Sequence, residues 1–149
     1  MIENADGSFR LTLNGAENTR TLAGRFIADT FGSAVQHVAF ETRDIFATAE
    51  ALAAGGFEGL VISRNYFDDA EARFGLEPAF ADRLRALNIL YDRDDHGEFF
   101  QLYSPNIGEG SFFEIVERRG GYQGYGAPNA PFRIAAQTRH LRPKAVPRR

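Results

Sequence analysis

The stretch NILYDRDDHGEFFQLYS, residues 88–104, limits the fold more than any other part of the chain. Two apolar, aromatic-rich runs flank the acidic turn Asp94-Asp95-His96-Gly97, the pattern of two strands joined by a tight connection. A third strand, SFFEIVER (111–118), follows the Gly-rich turn NIGEG. Earlier in the chain, FRLTLN (9–14) alternates with period two, VQHVAF (35–40) reads as a buried strand, and GLVIS (59–63) as a short one. Helices alternate with them. TRDIFATAEALAAGG (42–56) has Asp44 as N-cap, a face of Ile45, Thr48, Ala49 and Leu52, and Gly55-Gly56 as its stop. Residues 65–87 form two helical pieces split around Gly75 and Pro78. A short helix is predicted over 21–31, weakened by Gly24, and a final one from about Phe132 to Leu141. The class is α+β, with strands outnumbering helices in the core.

At 149 residues and 44% hydrophobic content the chain has enough material for one compact domain. No apolar run approaches the roughly 18–20 residues that cross a bilayer, and MIENADGSFR lacks the basic and apolar regions of a secretory leader, so a soluble, cytoplasmic protein is expected. With no cysteine, any metal must be held by His, Asp, Glu or water. All 20 acidic residues lie at or before Glu117, whereas 8 of the 17 basic residues follow it, ending in RHLRPKAVPRR. That segment lacks aromatic interleaving and follows an acidic body that repels phosphate, so residues 142–149 read as a basic flexible tail and no nucleic-acid partner is expected.

Side chains alternate faces along a strand, which groups Val35, His37 and Ala39, then Phe99, Gln101 and Tyr103, then Phe112, Glu114 and Val116. Each face is apolar but for one polar head: His37, Gln101 or Glu114. A carboxylate buried between phenylalanine and isoleucine is costly unless paired, protonated or metal-bound. Glu41 and Glu117 read as ordinary water-facing residues. A His and a Glu on separate strands supply two of the three ligands in the 2-His-1-carboxylate arrangement that holds non-haem iron(II).

VQHVAFETRDIFATAEAL, NILYDRDDHGEFFQLYS and FFEIVERRGGYQGYGAPN resemble, in order and spacing, the metal-binding half of the 4-hydroxyphenylpyruvate dioxygenase-like family of the vicinal oxygen chelate superfamily. NYFDD and GYGAPNAPFRIAAQTR are more similar to the dioxygenase-like C-terminal domain of bacterial 3-dehydroshikimate dehydratases, in which a separate TIM barrel is the dehydratase. The resemblance implies a fold of βαβββ modules, with His37 and Glu114 as metal ligands. It implies substrate contacts from Asn14, Gln36, Gln101, Tyr103, Phe112, Tyr125 and Asn129, and assigns no catalytic residue. Tyr103 and Tyr125 stand where the dioxygenase usually has Phe, which makes the pocket more polar. Ala130-Pro131 replaces an aromatic residue after the Asn.

The resemblance also implies that the first metal-binding histidine sits on an opening strand upstream of FRLTLN. The expectation is therefore an N-terminally truncated half-barrel, with residues 1–141 a metal-binding domain lacking most of its first module. His96, in a polar turn, and His140, in the basic C-terminal region, are poor substitutes. The implied cofactor is a divalent metal, iron(II) first, with magnesium, manganese or cobalt as alternatives. The implied partner is a small aromatic or 2-oxo acid, with no membrane, and with either a homo-oligomer or an upstream module completing the fold. Three functions are open: a dioxygenase-like domain of a dehydratase-type protein in aromatic catabolism, an iron(II) dioxygenase of an aromatic 2-oxo acid, and a non-catalytic oligomerisation module.

Overall fold

A computed structural model describes residues 1–141; the basic tail at 142–149 lies outside the described residues. The chain falls into two units, residues 1–35 and residues from 36 onward. In the first, β1 (Ile2–Glu3) pairs antiparallel with β2 (Arg10–Leu11), and α1 spans Leu22–Asp29. Thr21 caps α1, its side chain accepting from the Gly24 amide. The strand predicted over 9–14 is thus reduced to two residues. Period-two alternation records a preference, but a ladder needs a partner, and β1 offers only two positions.

The second unit runs β3 (His37–Glu41), α2 (Ile45–Ala54), α3 (Arg64–Phe74), α4 (Pro78–Ala86), β4 (Leu90–Arg93), β5 (Gly97–Tyr103), β6 (Phe112–Gly120), a short 3-10 turn (Ala127–Asn129) and α5 (Ala130–Leu141). Its sheet has the order β3-β6-β5-β4, with β3 parallel to β6 and the other pairs antiparallel. One strand, a helical crossover and three antiparallel strands make up this βαβββ arrangement.

Local chemistry sets each boundary. Asp44 accepts from the Ala47 amide to start α2, and Gly55 closes it. Gly75 ends α3 in the left-handed conformation (φ 61°), and Pro78 opens α4, where a missing amide proton costs nothing. The hairpin between β4 and β5 is held by Asp94 Oδ1, which accepts from the amides of His96 and Gly97. The predicted strand at 59–63 is irregular chain. Leu60 and Ile62 are buried and Val61 is exposed, so the alternation is present. Its main chain, however, meets β5 only through Leu60 N to Tyr103 O, while Ile62 N turns to the Asn88 side chain.

The registers divide the sheet into two faces. Phe100, Leu102 and Tyr91 lie on the face packed by α2, α3 and α4, where Phe100 meets Phe46 and Tyr91 edge to face and Phe80 meets Tyr91 in the same way. The opposite face carries His37, then Phe112, Glu114 and Val116, then Phe99, Gln101 and Tyr103, the grouping predicted from alternation. Two expectations are corrected. β3 is not a buried strand: as the sheet edge it is exposed along its whole length. Glu117 does not face water either; its face is covered by α2, and it is 4% exposed, with its carboxylate accepting from the Ile45 amide (2.7 Å) and from Arg119 (2.7 Å).

Candidate functional site

Glu114 enters from the middle of β6, between Phe113 and Ile115, and is 7% exposed. Such burial requires partners. Its Oε1 accepts from Gln101 Nε2 at 2.9 Å across the β5–β6 ladder, and its Oε2 lies 3.6 Å from His37 Nε2, reached from the parallel neighbour β3. The His37 ring stacks on Phe112 (5.0 Å between centroids, 6° between planes), which fixes the imidazole plane while leaving a third of the side chain open to solvent. Burial holds the His37 pKa below its ordinary value; the Glu114 carboxylate pulls upward against this and Arg133 adds to the lowering. The neutral imidazole, the form that ligates metals, is thereby favoured.

Behind Glu114 a chain of hydrogen bonds runs into the core. Gln101 also donates from Nε2 to the Tyr103 hydroxyl (2.6 Å), and its Oε1 accepts from Asn129 Nδ2 (2.8 Å). Asn129, fully buried at the end of the 3-10 turn, turns its Oδ1 to the Tyr66 hydroxyl (2.9 Å). That hydroxyl in turn accepts from the Tyr91 amide (2.7 Å). Because each carboxamide has one oxygen and one nitrogen, these contacts set the orientation of both amides and leave Gln101 donating to the carboxylate. Gly126 is required beside them: its φ is +61°, and a Cβ there would overlap the Gln101 carboxamide. Burial, and next the Glu114 charge, push the Tyr103 hydroxyl well above its usual pKa, so it stays protonated.

The structure thus brings together His37, Glu114, Gln101, Tyr103, Phe112 and Asn129. It does not bring the Gln36 side chain to them: the Gln36 carbonyl accepts from the Phe112 amide, which continues the ladder, and alternation places its side chain on the other face from His37. Tyr125 is half-exposed in the segment before the 3-10 turn, and Asn14 belongs to the first unit, beyond the end of β2. Two residues of the neighbourhood were not singled out from sequence: Tyr66, which anchors Asn129, and Arg133 of α5, whose guanidinium lies 5.0 Å from the Phe112 centroid and 5.6 Å from that of Tyr103. The concavity along α2, about 660 Å³ between Thr42 and Phe57, shares no lining residue with this cluster.

As metal donors, a neutral imidazole nitrogen and a carboxylate oxygen 3.6 Å apart suit a divalent ion in kind. In number they are two; no group of three His, Cys, Asp or Glu is assembled among the described residues. The remaining positions would fall to water, a bound ligand or groups outside those residues.

The 3-dehydroshikimate dehydratase of Pseudomonas aeruginosa is 43% identical over 137 residues, which are 91% of this chain and 22% of the dehydratase. The 4-hydroxyphenylpyruvate dioxygenase of the same organism is 30% identical over 125 residues, 83% of this chain and 35% of the enzyme. The chain is a homologue of the 4-hydroxyphenylpyruvate dioxygenase-like proteins. A solved xylose isomerase-like TIM barrel/4-hydroxyphenylpyruvate dioxygenase fusion protein superposes on 87% of the chain with a TM-score of 0.74 and 39% identity, using 21% of its own length. The second unit's βαβββ arrangement is accordingly that of the vicinal oxygen chelate fold. No family model matches the chain. The chain spans about a fifth of the dehydratase and of the fusion protein. No helix among the described residues is long and apolar enough to cross a membrane.

Proposed function

We propose that this chain is the metal-binding, dioxygenase-like domain of a 3-dehydroshikimate dehydratase-type protein acting in the breakdown of aromatic compounds. His37 Nε2 and Glu114 Oε2 would hold a divalent ion, iron(II) first, beside a small aromatic or 2-oxo acid. The observation that carries this reading is the His37–Glu114 pair, with its carboxylate oriented from behind by Gln101. When bound, the ion supplies a Lewis-acid centre able to polarise a ligand oxygen. The chain's own residues do the rest: Gln101 keeps one carboxylate oxygen occupied so that the other faces His37, Phe112 holds the imidazole plane, and Tyr103 offers a protonated hydroxyl at the site.

Manganese(II) titration of the full chain, followed by electron paramagnetic resonance, tests the site. Glu114→Gln and His37→Ala should each weaken binding tenfold or more, the range set by removing one ligand or its immediate support. Glu41→Gln should change nothing. Binding that survives both site changes would place the metal elsewhere.

The similarity to 4-hydroxyphenylpyruvate dioxygenase over 83% of the chain supports a second reading, in which the domain itself oxygenates an aromatic 2-oxo acid. Oxygen uptake with 4-hydroxyphenylpyruvate and iron(II) separates the two: the dehydratase-type reading expects none.

A further inference from the structure

We propose that Arg133 receives the carboxylate of a ring-bearing acid bound beside His37 and Glu114, and that this contact selects acids over neutral compounds of the same shape. The inference rests on the ligand-binding reading above and goes beyond it in naming the group that reads the charge.

Arg133 stands on the first turns of α5, half-buried, with its guanidinium over the rings of Phe112 and Tyr103. Phe112 also carries the stacked imidazole of His37, so the cation and the site share a wall. Its charge acts on both His37 and Tyr103. A guanidinium partly withdrawn from water gains from an anionic partner, since ring contacts replace only part of its hydration. Among the described residues no carboxylate lies within ion-pair distance of Arg133, and its one hydrogen bond runs from Nη1 to Gln137 Oε1 (2.7 Å).

Gln137 provides the second, independent observation. It is 2% exposed, and its Nε2 has no hydrogen-bond partner among the described residues. Since Oε1 is taken by Arg133, the amide cannot be turned to relieve this. A buried donor without an acceptor is uncommon in folded proteins and calls for a specific explanation. The free edge of a guanidinium and a free amide N–H₂ on adjoining side chains are donors only. An anionic oxygen acceptor suits such donors, and a carboxylate matches the planar fork of the guanidinium.

The test uses the full chain without metal, titrated with 4-hydroxybenzoate and with 4-hydroxybenzamide, with amide chemical shifts and heat as readouts. The acid should bind saturably and at least tenfold more tightly than the amide. Arg133→Met should weaken the acid about tenfold to a hundredfold and leave the amide unchanged, the range expected for a charge-assisted pair. Arg133→Lys, which keeps the charge without the fork, should fall between, and carries the test should the methionine variant not fold. Equal affinity for acid and amide, no saturable binding of the acid, or unchanged acid affinity in a folded Arg133 variant would overturn the proposal. Manganese binding that needs His37 and Glu114 while the acid fails would leave the metal reading standing alone. Arg133-dependent acid binding without manganese binding would leave this one.

Discussion

The hydroxyl of Tyr66 accepts the Tyr91 amide and reaches Asn129, whose own amide orients Gln101 and, through it, Glu114. Tyr66→Phe keeps the ring and deletes the one atom on which these contacts converge. The Tyr91 amide then loses its buried acceptor, at a cost of about 1–3 kcal/mol, and thermal unfolding should shift down by several degrees. An unchanged melting temperature would mean that the amide finds another acceptor. Manganese affinity should fall less than with Glu114→Gln, because the carboxylate itself remains. The outer members of this chain were legible in the sequence and the inner one was not. Glu114, Gln101 and His37 stand out because each interrupts an apolar strand face, a local anomaly. Tyr66 looks like any aromatic on an amphipathic helix; its partners are 25 and 63 residues away, and no local pattern records them. Arg133 was hidden among the 8 basic residues that follow Glu117, where it reads as part of a charge imbalance.

Between elements, the decisive contact is the one Glu117 makes with the start of α2. The first amides of a helix have no partner inside it, and Glu117 Oε2 satisfies that of Ile45 from 72 residues away. Its other oxygen pairs with Arg119, which lies over the rings of Phe46 and Phe100. Glu117→Ala should therefore cost about 1–3 kcal/mol in denaturant unfolding, and faster hydrogen exchange should appear at Ile45 first. Stability within a few tenths of a kcal/mol of the parent would make the contact incidental. The helices were legible because their signals are local: Asp44, Gly55, Gly75 and Pro78 each act on the adjacent turn. Strand environment was less so. Whether Glu117 meets water or a helix end depends on which face α2 covers, and whether residues 59–63 join a sheet depends on a neighbour. Neither fact resides in the segment itself.

Across the whole molecule, several tyrosines are held protonated. Burial, then a hydrogen bond to Asp92, pushes the Tyr122 pKa up to about 12, and burial raises Tyr66, Tyr91 and Tyr103 as well. In the unfolded chain these groups release protons near their ordinary value of 10, so above that pH the folded state binds more protons than the unfolded state. Stability should fall from about pH 10 toward 12, and ultraviolet titration of phenolate should lag until unfolding and then rise steeply. A smooth titration centred near 10 in the folded protein would contradict the burial. The edge position of β3 has a further consequence. In a parallel ladder the main-chain groups of alternate residues turn toward the neighbour; Gln36 O and Thr42 N are so engaged with β6, which turns the amides of His37, Ala39 and Glu41 outward. The His37 N–H and C=O are thus free of the ladder, while the residues on either side are tied down. Heavy water should mark the strand in a two-residue rhythm, with the outward amides of His37, Ala39 and Glu41 exchanging first, as if the sheet's hem were stitched at every second loop.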